Sequence, residues 1–134
     1  MLRDARRVLK DDGEIWISMP NGASFLRTLF GRRWINWHVP YHIVHFTKQS
    51  IGRLLGEEGF GVQSVSNATP ALWVAQPIIT TLFARPDRPT KQLRSFVLIG
   101  GLALLIRFLL FPILWLANRT GRGDCLLVHA RRLG

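Results

Sequence analysis

The sequence is short of cysteine and of acidic residues, and both shortages narrow the possible classes of protein. Its single cysteine, Cys125, cannot form an internal disulfide or a paired-cysteine metal site, so nothing in the sequence requires an oxidising compartment. The first eight residues carry charges without a following apolar run, which is not the pattern of a secretory signal. We therefore expect a cytoplasmic protein.

The shortage of acidic residues leaves the chain strongly basic. It has 18 Lys and Arg against 8 Asp and Glu, a formal net charge of +10, although 48% of its residues are hydrophobic. This combination favours an anionic membrane surface as partner, because headgroups attract basic residues while the interface takes up apolar side chains. We expect no nucleic-acid partner, since the basic residues are scattered among apolar segments without a helix-turn-helix or a stacking platform.

The first part of the chain predicts a helix followed by a strand. Apolar residues recur at helical spacing between residues 2 and 9, and the turn at Gly13 ends this pattern. Residues 14–19 are rich in β-branched and aromatic side chains, which predicts a strand that Pro20 stops. No capping residue precedes the helix, so we expect the chain to begin within a larger fold.

A second helix and strand follow an aromatic loop. After a short helical pattern, the loop runs from residue 34 to residue 46, and Thr47 is expected to cap a helix that ends before Gly59. Residues 60–66 predict a strand in which Val65 falls out of strict alternation. The order of helices and strands indicates an α/β fold.

Residues 68–121 change character and have the composition of an insertion. Four prolines break the stretch from 68 to 95, and residues 96–117 are almost wholly apolar. A final strand is predicted over residues 124–131.

Three segments in this order resemble the second half of the class I S-adenosylmethionine-dependent methyltransferases: LRDARRVLKDDGEIWISMPN, HVPYHIVHFTKQSIGRLLGEEGFGVQSVS and GRGDCLLVHARR. The resemblance implies strands five to seven of a Rossmann-like sheet, with strand seven antiparallel and inserted between strands five and six. Residues 1–67 would be the C-terminal part of the methyltransferase α/β domain. Residues 68–121 would be a Pro-broken, basic-flanked apolar helical insertion, and residues 122–134 would carry the final strand.

The sequence departs from this family at the cofactor site. The family holds S-adenosylmethionine with a Gly-rich turn after strand one and an acidic residue at the end of strand two, and neither occurs here. We therefore expect S-adenosylmethionine to serve the intact enzyme but not to bind this chain alone, and we assign no cofactor-binding residue.

The resemblance puts the loop containing His42 and His45 at the substrate end of the sheet. It implies that either imidazole could remove a proton from a hydroxyl acceptor. The structural alternative is that His45 packs beside Phe46 and ties the loop to the backbone. A metal site formed with His38 is disfavoured because Pro40 breaks the helix that would put His38 and His42 on one face. No carboxylate lies close by in sequence either, so we predict no metal.

Trp34, Trp37 and Tyr41 are candidate substrate-binding residues. They could form an apolar wall for a flat or lipid-like acceptor. Two alternatives stay open, namely anchoring at a membrane interface and ordinary core packing. Cys125 lies among apolar neighbours and is expected to be a small buried hydrophobe.

The apolar segment 96–117 is long enough to cross a membrane, but three features oppose a span. Arg107 lies near its centre, Pro112 is expected to break it, and basic residues flank both ends. If the strands on either side pair in one sheet, the chain must return to the side it left. We therefore predict a bent interfacial or re-entrant hairpin, with a soluble helical cap as the alternative.

These features together predict a fragment of a membrane-associated methyltransferase. It would act on a hydrophobic or lipid-linked acceptor at the inner face of the membrane, to which it would be peripherally attached, and would be inactive without the missing half. The alternative is a small basic membrane-surface or adaptor protein with no catalytic activity.

Overall fold

The computed structural model of the chain describes residues 1–37, 42–70, 73–75, 78 and 96–134. The longer elements in this part of the chain, numbered in chain order, are α1 (Leu2–Val8), β1 (Glu14–Pro20), α2 (Phe25–Phe30), α3 (Lys48–Glu57), β2 (Phe60–Ala68), α4 (Phe96–Arg119) and β3 (Cys125–Arg132). Two short 3-10 turns, Gly31–Arg33 and Ile35–Trp37, follow α2.

The three strands form one antiparallel sheet in the order β1-β3-β2. Because β3 is antiparallel to both neighbours, β1 and β2 run parallel to each other. His129 at the middle of β3 is opposite Trp16 of β1 on one side and Ser64 of β2 on the other. The structure therefore confirms a mixed α/β chain whose last strand lies between the first two, while the larger Rossmann-like sheet stays a prediction.

One face of the sheet carries the first apolar core. Leu126, Val128 and Ala130 of β3 are fully buried there, and α1 and α3 cover them with Ile51 and Leu55. Burial of each large apolar side chain contributes about 1.5–3 kcal/mol, so this layer is the main source of stability for the sheet. We call these elements, β1–β3 with α1 and α3, the sheet unit.

A β-bulge explains the residue of β2 that broke the predicted alternation. The register shifts between Val62 and Ser64, so Val62 is opposite Ala130 and Val65 is opposite Val128. A bulge adds one residue to one strand, which allows two positions three residues apart to share a face. Val65 therefore packs against the buried core.

The predicted boundaries of α3 are confirmed by the contacts at its ends. Thr47 accepts a hydrogen bond from the backbone of Ser50 at 3.2 Å, and the Ser50 hydroxyl accepts one from the backbone of Thr47 at 2.9 Å. This reciprocal capping satisfies two backbone donors that a helix start leaves free. Gly59 follows the helix with φ of 77°, the left-handed conformation that favours glycine.

The second apolar core lies outside the sheet unit. It joins Leu26 of α2, Trp34, Val74 and Ala75 to Ile106 and Leu114 of α4. Residues 102, 106, 110 and 114, all Leu or Ile, recur every four positions and form one stripe along α4 that contacts this core. We call α2, residues 34 and 73–75 and α4 the apolar unit.

The predicted break at Pro112 is wrong, because α4 continues through it to Arg119 as one helix of 24 residues. The proline is exposed on the side of α4 away from the packed stripe. Its missing N–H leaves the carbonyl of Phe108 without a helical partner on that outward side, so no buried hydrogen bond is lost. Within α4 the helix is therefore not interrupted.

Candidate functional site

Polar side chains from four segments meet where β1 and β2 end and β3 begins. Asn21 directly follows β1, Asn67 lies near the end of β2, and Asp124 directly precedes β3. Ala68 at the end of β2 is opposite Cys125, which brings Thr69 to the same edge. Binding sites in α/β sheets form at the carboxyl ends of parallel strands, and β1 and β2 are parallel, so this edge is the candidate site.

Asp124 is the centre of this edge and is completely buried. Its Oδ1 accepts hydrogen bonds from the Ser24 hydroxyl at 2.5 Å and from Trp34 Nε1 at 2.6 Å, and its Oδ2 accepts one from Asn36 Nδ2 at 2.8 Å. Its backbone N–H donates to Thr69 Oγ1 at 3.1 Å. The carboxylate of Asp124 therefore holds the start of α2 and the aromatic loop together, and its backbone N–H attaches the end of β2.

The pKa of the Asp124 carboxyl also differs from its ordinary value. Burial raises the pKa of Asp124 above the ordinary value of 3.8, and the hydrogen bonds from Ser24, Trp34 and Asn36 oppose part of that rise. Desolvation disfavours the charged form of a carboxyl, whereas donors favour it. Perturbed carboxyls of this kind occur both at functional sites and in structural networks.

Asn21 forms a second buried junction beside Asp124. Its side-chain N–H groups contact the carbonyl oxygens of Gly123 at 2.7 Å and Gly121 at 3.0 Å, and Asn67 Oδ1 at 3.2 Å. The next residue, Gly22, donates its backbone N–H to the carbonyl of Phe46 at 2.7 Å. The aromatic loop is thereby attached to the sheet at both of its ends, through Trp34 and Phe46.

Three predicted site residues, Trp34, Trp37 and His45, lie together on this edge. The ring centroids are 5.3 Å apart for Trp34 and Trp37, 5.3 Å for Trp34 and His45, and 5.0 Å for Trp37 and His45. Trp34 is only 2% exposed and belongs to the second core, whereas Trp37 lies at the surface beneath the Arg27 guanidinium. Trp34 thus packs in the core, and Trp37 is the ring of the two that solvent reaches.

The hydrogen bond of His45 fixes which ring nitrogen is free. Its Nε2 lies 2.7 Å from the backbone oxygen of Asn36, and a carbonyl oxygen only accepts, so Nε2 donates. In the neutral ring the lone pair is then on Nδ1, the one nitrogen that could take up a proton. The predicted tie between this loop and the backbone is present, and among the hydrogen bonds of the described residues none involves Nδ1.

The remaining predicted residues are less defined by contacts. His42 is half-buried in the irregular stretch that leads to Phe46. Tyr41 and His38 lie outside the described residues, so their predicted roles stay predictions. Among the residues that the structure describes, no three His, Cys, Asp or Glu side chains are arranged to hold a metal ion.

Sequence reasoning missed the polar network itself. Ser24 caps α2 by accepting from the backbone of Leu26, and a Ser before a helical pattern could have indicated that cap. Nothing local marks Asp124 as buried, because aspartate is mostly exposed and its donors are 88 to 100 residues away. Cys125, next to it, is buried as predicted, with its sulfur 3.2 Å from the Ser18 hydroxyl.

An apolar cleft of about 440 Å³ lies between α2 and α4. Leu26, Val74 and Leu114 are buried at its base, while Leu29 and Ile113 are exposed at its mouth beside Arg33. Ligand pockets have volumes of about 300–1,000 Å³ and are mostly apolar with a few polar groups, and this cleft has both properties. Trp34 packs in the same core as the base of the cleft and contacts His45, so it connects the cleft to the polar edge.

The other side of α4 is apolar and uncovered. In the described part of the chain, α4 is long and apolar enough to cross a membrane by length and composition, with a mean hydropathy of 2.1 over Gly100–Arg119. Only 11% of that stretch is buried, unlike the core helix of a soluble protein. Its outward side chains include Leu104, Phe108, Phe111 and Trp115, all exposed.

Comparisons with known proteins do not extend this description: no family model, curated protein or solved structure matches the chain.

Proposed function

We propose that this chain is the C-terminal portion of an S-adenosylmethionine-dependent methyltransferase that acts on a hydrophobic or lipid-linked acceptor at a membrane surface. The observation that carries the proposal is the strand order, with an antiparallel last strand between two parallel strands. The resemblance in sequence predicts this order for strands five, seven and six. The strand order is thus consistent with the order that the sequence segments imply.

The chain's own residues do not fit the cofactor. Gly121 and Gly123 precede β3 rather than follow a strand, and a Cβ at Gly123 would meet the side chains of Asn118 and Asn67. Gly123 is therefore packed against side chains, and neither glycine lies in the turn after a strand that the family uses for its cofactor. In our proposal the methyl donor is held by a part of the enzyme outside this sequence, and these residues act on the acceptor.

The role of this chain is to align the acceptor and, for a hydroxyl acceptor, to take up its proton. His45 suits that role because Nε2 is held by Asn36 while Nδ1 retains a lone pair. The loop that carries it is anchored at Trp34 and Phe46, so the imidazole is held on a fixed framework. Alignment is the main contribution an enzyme makes to such a transfer, and a base adds about 10²–10⁴ in rate.

The membrane association in this proposal is interfacial. Ala68 and Cys125 pair in the sheet, so a spanning α4 would require residues 69–95 to cross the bilayer as well. That segment contains Arg85, Arg88, Lys91 and Arg94, which are costly in hydrocarbon. We propose instead that α4 lies at the inner face of the membrane, with its apolar side toward the acyl chains.

The test uses the complete product of the gene that encodes this chain. Membranes containing it are incubated with S-adenosylmethionine labelled in the methyl group, and the label is counted in the organic extract. We expect label in a lipid fraction, and a His45→Gln variant should transfer it about 10²–10⁴ times more slowly because Gln keeps the donor to Asn36 but not the base. His42→Gln is the parallel variant for the other candidate.

The outcomes separate chemistry from structure. No label in any organic-soluble product would refute the lipid acceptor, and unchanged transfer by both variants would show that the two histidines are structural. A second candidate function, a membrane-surface adaptor without chemistry, is favoured by the exposed apolar side of α4 alone. It predicts vesicle binding without any methyl transfer.

A further inference from the structure

We infer that the cleft between α2 and α4 binds the hydrocarbon chain of a single-chain lipid phosphate, with Arg33 at the phosphate. The inference rests on the proposed function for the lipid's role as acceptor, whereas the binding itself requires no methyl transfer. It names the substrate class: a lipid with one acyl or isoprenoid chain and a phosphate next to that chain.

The lining of the cleft matches one hydrocarbon chain. Its base is buried and apolar, formed by Leu26, Val74 and Leu114, so an apolar ligand displaces water from a surface with few hydrogen-bonding groups. The volume of about 440 Å³ lies at the small end of the range for ligand pockets, which favours one chain over two.

The mouth of the cleft supplies the charge complementarity. Arg33 lines the cleft, its side chain is exposed, and no carboxylate of the described residues pairs with it. A guanidinium binds phosphate oxygens with two parallel hydrogen bonds, which an uncharged headgroup cannot reproduce. The chain's formal charge of +10 further favours an anionic ligand.

Access to the cleft comes from the apolar side of the molecule. Leu29 and Ile113 at the mouth are exposed, and Ile113 lies on α4 between the packed stripe and the outward face. A lipid in the leaflet next to α4 could therefore enter by lateral movement, with its chain staying in an apolar environment. This continuity is the reason we choose a membrane lipid over a soluble apolar metabolite.

The experiment uses the complete 134-residue chain in nanodiscs of phosphatidylcholine. The probe is dodecyl phosphate with a diazirine at the chain end, and the labelled residues are identified by mass spectrometry after illumination. We expect label on the cleft residues Leu26, Leu110 and Leu114. Label confined to Leu104 and Phe108 on the outward side, or crosslinks between two copies of the chain, would overturn the inference.

Competition measures the two parts of the site separately. Unlabelled alkyl phosphates should compete about fourfold better for each added methylene until the cleft is full, since each buried methylene contributes roughly 0.8 kcal/mol and 1.4 kcal/mol is tenfold. Dodecanol should compete about tenfold less well than dodecyl phosphate. Inorganic phosphate competing as well as dodecyl phosphate would overturn the inference, because the apolar cleft would then contribute nothing.

Two variants with matched controls complete the test. Leu29→Trp adds an indole at the mouth and should reduce labelling at least tenfold. Leu104→Trp, which is 70% exposed against 60% for Leu29 but lies outside the cleft, should change it less than twofold. Arg33→Gln should weaken the binding of dodecyl phosphate but not that of dodecanol. Arg32→Gln should change the binding of neither compound. If Leu29→Trp fails to fold, the arginine pair still decides the matter.

The outcomes also distinguish this inference from the proposed function. Specific labelling of the cleft, together with no methyl transfer by the complete product of the gene, would refute the proposed function and leave the lipid site in place. Methyl transfer to lipid with label outside the cleft would refute only the present inference.

Discussion

The sheet unit and the apolar unit use similar side chains in opposite ways. In the sheet unit, Leu55, Leu126 and Val128 are fully buried between the sheet and its two helices. In the apolar unit, one stripe of α4 is packed, and the rest, including Leu104 at 70% and Phe108 at 80% exposure, faces outward. The first unit is closed around its own core, whereas the second is closed on one side only.

The difference indicates what the outward side of α4 is for. A monomeric soluble protein rarely exposes large contiguous apolar patches, and in our proposal this helical face contacts the acyl chains of a membrane. The uncovered face of the sheet is different in kind: exposed Trp16 stacks on His129 with centroids 4.2 Å apart, and Ser18 and Ser64 lie on the same face. That mixture of polar and aromatic groups suits a protein surface better than lipid.

The largest expected effect comes from cutting the connection between the two units. Asp124→Ala removes the acceptor of Ser24, Trp34 and Asn36 and leaves three buried donors without partners. We expect the free energy of unfolding to fall by about 3–5 kcal/mol, the range for removing one partner from a buried charged network. Urea unfolding in mild detergent, followed by tryptophan fluorescence, measures it.

The control for Asp124→Ala is Asp124→Asn, which keeps an acceptor oxygen. It should lower the free energy of unfolding by distinctly less than the alanine variant does. If the alanine variant lost under 1 kcal/mol, the Asp124 carboxylate would not be what joins the two units, and it would not determine the position of the aromatic loop.

The second largest effect concerns membrane binding by the outward apolar side chains of α4. The double variant Leu104→Asp, Phe108→Asp should reduce partitioning onto anionic vesicles about 100-fold or more, because each large apolar side chain removed from the interface contributes about 1.5–3 kcal/mol. Val8→Asp on α1 is the matched control: its side chain is 79% exposed, but it belongs to the sheet unit. Cosedimentation with vesicles is the measurement.

Salt and protease refine the same comparison. Raised salt should weaken vesicle binding only partly, since it screens the basic residues but not the apolar contact. In sealed vesicles, segments on both sides of α4 should be equally cleavable from outside. Protection of only the segment after Asn118 would establish a single span and contradict the interfacial proposal.

Helix ends that depend only on neighbouring residues could be predicted from the sequence. The helix α3 begins after Thr47 and ends before Gly59, as predicted. A capping side chain and a left-handed glycine affect only the backbone within a few residues of them. The break expected at Pro112 did not occur: α4 continues through it as one helix, with the exposed proline on the side away from the packed stripe. The burial of Asp124 could not be predicted, since Trp34 is 90 residues away and its contact exists only in the fold.

A pair of glycine substitutions tests how tightly the junction is packed. A Cβ at Gly123 would be 2.9 Å from Asn67 Cβ and closer still to Asn118 Oδ1, which accepts from Thr69 at 2.7 Å. Gly123→Ala should therefore cost about 1–3 kcal/mol through overpacking. Gly52→Ala on α3, where nothing lies within 4 Å, should instead stabilise by about 0.5–1 kcal/mol. Thermal unfolding distinguishes the signs, and equal effects would contradict the tight junction.

The smallest expected effect is the pH dependence of the junction. Burial raises the folded-state pKa of Asp124 above 3.8, so between these two values the folded chain binds a proton that the unfolded chain does not. Stability from this group therefore rises as pH falls from neutral through the folded pKa, and levels off below 3.8. Asp124→Asn cannot titrate at this position. As the pH is lowered, the unfolding free energy of the wild type should therefore rise relative to that of the variant. A shift in the opposite direction would show that the donors Ser24, Trp34 and Asn36 outweigh burial, and that the junction is stabilised by charge instead of being opposed by it.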